Sequence, residues 1–155
     1  MARILGIDPG LQITGYGIVD LPPGRGLVEP TLVEGGVLRL RAKSSLESRL
    51  GQLHEDLSAL IEEHRPTHLA VEKLYAHYKH PRTAILMAHA RGVILLRARL
   101  RDLPVTHLPA TEVKKAITGY GHASKEQMQR AVAAQCGLPE PPSPPDVADA
   151  IAIAL

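Results

Sequence analysis

A chain of 155 residues, 45% of them hydrophobic but with no Phe and no Trp, must build the core of a single domain from Leu, Val, Ile and Ala. One cysteine, Cys136, excludes an internal disulfide, and no apolar run approaches the ~18 residues of a membrane-spanning helix, so a soluble, cytoplasmic protein is expected. The net charge of +2 is uneven: residues 73–130 hold eleven Lys/Arg against three Asp/Glu, with seven against ten before them and none against three after them. A basic middle between acidic flanks suits a polyanion gripped around a carboxylate cluster.

In chain order, residues 3–8 read as a buried strand that breaks at Pro9-Gly10 and returns as a second strand over 14–20. Asp8 is thereby left at the mouth of a sheet, in a backbone with little side-chain bulk, where a metal ion or a phosphate could be held. Residues 21–26 are turn-rich. A third strand over 31–40 has Leu32, Glu34, Gly36 and Leu38 on one face and Val33, Gly35, Val37 and Arg39 on the other, completing an antiparallel meander. Leu46, Leu50, Leu53, Leu57, Leu60 and Ile61 then mark an amphipathic helix, with Ser44 and Glu47 as a capping box and Pro66 as the stop. Residues 68–74 form a short strand carrying Glu72. The helix over 83–100 is apolar around more of its circumference than one core face needs, which points to core on one side and a subunit contact on the other. A last strand spans 105–108, and two helices follow over 112–118 and 125–136, the second with Ser124 and Gln127 as a capping pair and Gly137 as its stop. Five prolines stiffen 139–145 before a final helix that begins about Pro144 with Ser143 as its cap. Its apolar pattern still runs at Leu155, and a C-terminal tail is expected beyond it.

These elements compose one α/β domain over 1–155: a five-stranded mixed sheet, three antiparallel strands then two parallel, flanked by helices. Four acids lie where such a fold collects its sites. Asp8 and Glu72 stand near strand ends, and Asp146 and Asp149, spaced i,i+3, share one face of the last helix. Converging carboxylates repel unless protonated or neutralised by cations, and hard oxygen ligands suit Mg²⁺ or Mn²⁺ completed by water and substrate phosphate. Taken singly, each acid has an ordinary structural use, as a turn residue, a surface charge or a partner of a helix N-terminus. In combination with the basic middle they point to phosphodiester chemistry on a nucleic acid. His77 and His80 lie in a polar loop beyond Glu72, and the remaining histidines, His64 among them, show no ligand spacing.

The ordered set Gly6-Ile7-Asp8-Pro9-Gly10, Gly15-Tyr16-Gly17, Val71-Glu72, Ala90-Arg91-Gly92-Val93, Val113-Lys114-Lys115, Gly119-Tyr120-Gly121, Ser124-Lys125 and Asp146-Val147-Ala148-Asp149-Ala150 resembles the RuvC family of crossover (Holliday) junction endodeoxyribonucleases over essentially the whole chain. The resemblance implies an RNase H-like fold and a homodimer that nicks two opposed strands of four-way junction DNA during recombination and repair. It implies that Asp8, Glu72, Asp146 and Asp149 hold two Mg²⁺ ions per site, with Mn²⁺ as a substitute, and that Lys114 and Lys125 assist catalysis and contact the DNA backbone. It also implies a junction-base contact at Tyr75, where Phe is common in the family. Lys79, Arg82 and Lys115 are further expected DNA contacts, and a RuvA–RuvB branch-migration complex is the expected partner.

Three other readings compete. A sugar-kinase or actin-like ATPase also opens with a strand, an Asp-x-Gly turn and a return strand, but it needs a second domain and a second Gly-rich phosphate loop that this chain lacks. A nearer rival is another RNase H-like nuclease acting on RNA, against which the basic 75–82 loop and the Lys114/Lys125 pair favour the resolvase. A junction-binding protein without catalysis would not need all four acids.

Overall fold

The computed structural model describes residues 1–10, 12–24, 29–74 and 80–155. Strands β1 (Ala2–Asp8), β2 (Ile13–Leu21) and β3 (Thr31–Arg39) form an antiparallel meander, and β4 (His68–Glu72) and β5 (Val105–Leu108) extend the sheet beside β1 in parallel, giving the order β3-β2-β1-β4-β5. Helices α1 (Leu46–His64) and α2 (Pro81–Leu100) cover one face. Helices α3 (Ala110–Thr118), α4 (Lys125–Gln135) and α5 (Pro145–Ala154) cover the other. The expected mixed sheet is present.

The period-2 alternation of strands divides the core between these layers. Leu5 and Ile7 of β1, Ile18 of β2 and Leu69 and Val71 of β4 pack with Leu53, Leu57 and Ile94 beneath α1 and α2. Val19 and Ala70, with Ile4 partly buried beside them, pack with Met128, Val132, Val147 and Ile151 on the opposite face. Asp8 therefore continues the Ile4–Gly6 row, and Glu72 continues from Ala70, so both point to the α5 side.

Helix α5 sits directly on the strand backbones. A Cβ at Gly6 would lie 2.3 Å from the Ala150 carbonyl oxygen, and one at Gly15 only 2.2 Å from that of Asp146. Only glycine admits a helix backbone this close.

Local details differ from the sequence reading in several places. A register shift between Ile18 and Val19 pairs Ile18 with Glu34 but Val19 with Leu32, so Val33 is bulged out and Leu32 joins the α5-side core while Leu38 packs on the other face. The α1 cap is Ser45, whose hydroxyl accepts from Ser48 N at 3.2 Å, while Ser44 Oγ donates to Arg41 O at 2.7 Å. Helix α5 starts after Pro144 with no side-chain cap, so Ser143 does not serve as one; Pro145 in the first turn has no N–H to satisfy. Helices α2 and α3 each begin two residues earlier than their apolar patterns indicate, and β4 ends at Glu72. The Ser124–Gln127 capping box is present with both bonds, at 3.1 and 2.8 Å.

Helix α2 confirms an excess of apolar surface. Ala90, Ile94 and Ala98 are fully buried, while Ile85, Leu96 and Leu100 on the opposite side are each more than half exposed.

Candidate active site

The turn after Asp8 is closed by Thr14, a fully buried residue whose hydroxyl donates to Gly10 O at 2.7 Å and accepts from Gly10 N at 3.2 Å. This fixes the end of β1. In the adjacent parallel strand Ile7 pairs with Val71, which sets Glu72 beside Asp8. Across the antiparallel pair Asp8 lies opposite Gly15, the glycine on which the Asp146 backbone rests. Asp149 follows one helical turn later and lines a recess with Glu72, Lys114, Val113, Met128 and Ile153. The four acids of the sequence reading thus converge from β1, β4 and α5.

Their electrostatics confirm the proximity. The Asp8 carboxyl is pushed up to about 8, first by burial and then by the charges of Glu72, Asp149 and Asp146. Glu72 is raised by burial and by Asp149, against the opposing influence of Lys114 and a hydrogen bond with Asp8. Asp149 is raised by burial and by Asp146, again opposed by Lys114 and by Lys125. The folded chain therefore holds these groups at the cost of mutual repulsion, which a proton or a divalent cation relieves. No three of the four bring carboxylate oxygens within 4.8 Å of one another. A Mg²⁺-type ion tolerates that openness, because it is commonly bound through one or two carboxylates with water and substrate phosphate completing its octahedron.

Of the expected basic residues, Lys114 on α3 is half-buried in the recess, and Lys125 at the start of α4 acts on Asp149 from the surface. Lys115 and Arg82 are exposed and stand outside the cluster. Tyr75 and Lys79, with His77, lie outside the described residues.

One contributor escaped the sequence reading. Arg91 of α2 donates through Nε to the backbone carbonyl of Glu72 at 3.1 Å and contacts His107 Nδ1 through Nη2. It holds the end of β4, and with it the Glu72 backbone, against β5 and α2. Its half-burial emerges only in the fold, since the helix also carries Arg82, Arg97 and Arg99 and the sequence does not set Arg91 apart from them. His107 is lowered by burial and by the charges of Arg91 and Lys73, so it meets Arg91 as a neutral acceptor.

Residues 4–155 match the family model described as crossover junction endodeoxyribonuclease RuvC. The chain belongs to the RuvC family. Curated RuvC relatives include that of Rhodopirellula baltica, 47% identical over 98% of this chain and 83% of its own length, and that of Leifsonia xyli, 46% identical over 99% and 72%. Among solved structures, Thermus thermophilus RuvC superposes with a TM-score of 0.86 at 33% identity over 98% of this chain and 90% of the other. T. thermophilus RuvC in complex with a Holliday junction substrate gives 0.90 at 32% over 99% and 91%. The five-stranded mixed sheet is accordingly the RNase H-like fold of RuvC, and RuvC membership makes this chain a metal-dependent endodeoxyribonuclease. The ATPase reading is thereby set aside.

Proposed function

We propose that this RuvC family member resolves four-way DNA junctions by paired, symmetric nicks during homologous recombination and repair. The observation that carries the reading is the convergence of Asp8, Glu72, Asp146 and Asp149 from three elements, beside Lys114 and Lys125 of the basic middle of the sequence. These acids would hold two Mg²⁺ ions, for which Mn²⁺ substitutes. Such ions, when bound, lower the pKa of a water and stabilise the leaving oxygen of a phosphodiester.

The chain's own residues do the rest. Asp8, held near Glu72 and beneath α5, is the central carboxylate, and loss of its proton prepares the cluster for cations. Lys114, in the recess, offsets negative charge on Glu72 and Asp149 and would meet a phosphate oxygen of the substrate. Lys125 extends that positive edge toward the backbone, with Lys115, Arg82 and Lys79 as outer phosphate contacts. Tyr75 is assigned to stacking on a junction base, a contact of ~1–3 kcal/mol.

Paired nicks need two sites related by a two-fold axis, matching the near two-fold symmetry of a junction. Ile85, His89, Gly92, Leu96 and Leu100 recur at helical spacing along the exposed side of α2, and this stripe is the proposed homodimer contact. A RuvA–RuvB branch-migration complex in the bacterial cytoplasm is the partner that the family implies.

The test offers the purified protein a four-way junction, a linear duplex and an RNA–DNA hybrid, each with Mg²⁺ and with EDTA. Symmetric nicks confined to the junction and dependent on Mg²⁺ are expected. Asp8→Asn should bind the junction and leave it uncut. Cleavage of the hybrid alone, or full cleavage by Asp8→Asn, would overturn the reading.

A further inference from the structure

The sheet face opposite the acidic centre carries a second set of ligating groups. Glu34 on β3, Glu63 and His64 at the end of α1 bring one carboxylate oxygen each and a ring nitrogen within 4.8 Å of one another. His64 is 9% exposed, and its Nε2 makes no hydrogen bond among the described residues. That nitrogen is aimed into the cluster, 3.4 Å from Glu34 Oε2 and 3.9 Å from Glu63 Oε2.

From these groups we propose a Zn²⁺-class cation site, separate from the acidic centre, that ties edge strand β3 to the C-terminus of α1. Ligands about 2.0–2.2 Å from a tetrahedral zinc stand roughly 3.3–3.5 Å apart; the His64–Glu34 separation of 3.4 Å already matches, the 3.9 Å to Glu63 requires a small inward shift of an exposed carboxylate, and water completes the shell. An imidazole with carboxylates suits zinc better than it suits Mg²⁺, which prefers an all-oxygen shell. The surroundings are built as ligand supports. Tyr16 Oη donates to Glu34 Oε1 at 2.6 Å, which fixes that carboxylate and leaves Oε2 turned to His64. Arg3 Nη1 donates to His64 O at 3.0 Å, and Arg3 is in turn held by Asp20 at 2.7 and 2.8 Å, so the helix end is anchored. Glu34 pairs across β2 with Ile18, three residues along the strand from Gly15, the partner of Asp8. With Glu34 and Tyr16 facing α1 and the four acids facing α5, the two sites lie on opposite sides of the sheet.

The binding test is a calorimetric Zn²⁺ titration of the full chain in saturating Mg²⁺, run on wild type, His64→Gln and Glu34→Gln, with circular dichroism to confirm folding. One equivalent present in wild type and missing from both variants is expected. At Zn²⁺ concentrations about 100-fold above Kd, the wild-type melting temperature should exceed its zinc-free value by roughly 5–10 °C more than that of His64→Gln does. Crystals soaked in Zn²⁺ should give an anomalous peak between Glu34, Glu63 and His64. Zinc density confined to the acidic centre, or a stoichiometry unchanged in His64→Gln, would show the cluster to be an ordinary His–Glu contact and overturn the proposal. None of these readouts depends on DNA cleavage, so failure here and failure of the nuclease reading are distinguishable.

Discussion

Replacing Gly15 by alanine tests whether the approach of α5 sets the acidic centre. The new Cβ would lie 2.2 Å from the Asp146 carbonyl oxygen and 2.7 Å from its carbonyl carbon, both backbone atoms without a rotamer to yield. Ordinary contact begins near 3.4 Å, so the first turn of α5 must retreat by about 1 Å. The far end of the helix is held where Ala150 O and Ala154 N lie over Gly6, so the displacement concentrates at Asp146 and Asp149. Overpacking of this kind costs about 1–3 kcal/mol of stability. A 1 Å misplacement of reacting groups costs roughly 100-fold in rate. Single-turnover cleavage of a four-way junction with Mg²⁺ should therefore fall by about two orders of magnitude, while junction binding by gel shift changes little. Gly51→Ala is the control: that glycine is exposed within α1, a Cβ there meets nothing within 4 Å, and the substitution should stabilise by about 0.5–1 kcal/mol with activity intact. A folded Gly15→Ala variant that cleaves at the wild-type rate would refute the reasoning.

Three further outcomes are expected. Because the folded Asp8 carboxyl titrates near 8 against an ordinary 3.8, its contribution to metal-free stability is full below the unfolded value and is lost as pH rises through the folded one; urea denaturation should show Asp8→Asn gaining on wild type between about pH 4 and pH 8, with Mg²⁺ narrowing the gap. Ile85→Glu with Leu96→Glu on the exposed side of α2 should yield monomers by sedimentation and single rather than paired nicks, with the fold unchanged by circular dichroism. Arg91→Ala removes a charge-assisted bond to Glu72 O and should lower unfolding free energy by about 1.5–3 kcal/mol and slow cleavage; Arg91→Lys, lacking the fork that reaches both Glu72 and His107, should not restore either.

Much of this architecture is written locally. The alternation of 3–8 and 68–72 is enough to find β1 and β4 and the acids near their ends, because a strand's period needs no knowledge of its neighbours. The i,i+3 spacing of Asp146 and Asp149 and the Ser124 capping box are local for the same reason. What depends on packing between distant segments was not legible. The face taken by Leu32 is set by a bulge against β2, and strict alternation assigns it wrongly. The choice of Ser45 over Ser44 depends on the turn that delivers the chain into α1. Arg91 looks like one more charge on a helix until its partners on β4 and β5 are in place. His64 has no ligand spacing in the sequence because Glu34, the third member of its cluster, comes from β3 while His64 ends α1.

The glycines connect these levels. Read along the chain, Gly6 and Gly15 mark weak strand positions that cost conformational entropy and offer no side chain to pack. In the fold they are the reason α5 can lie on β1 and β2, and that approach carries Asp146 and Asp149 to Asp8 and Glu72. Packing makes the approach favourable, since Val147 and Ile151 enter the α5-side core with Val19. The same packing buries four carboxylates together, and the raised Asp8, Glu72 and Asp149 register that burial first and their mutual repulsion second. Apolar burial therefore holds an electrostatically strained cluster in place before any cation arrives. Substitutions at the glycines should weaken cation binding by moving the acids apart, and neutralising an acid should relieve the strain while abolishing the chemistry. Opposite effects on stability, with a common loss of cleavage, separate these two causes.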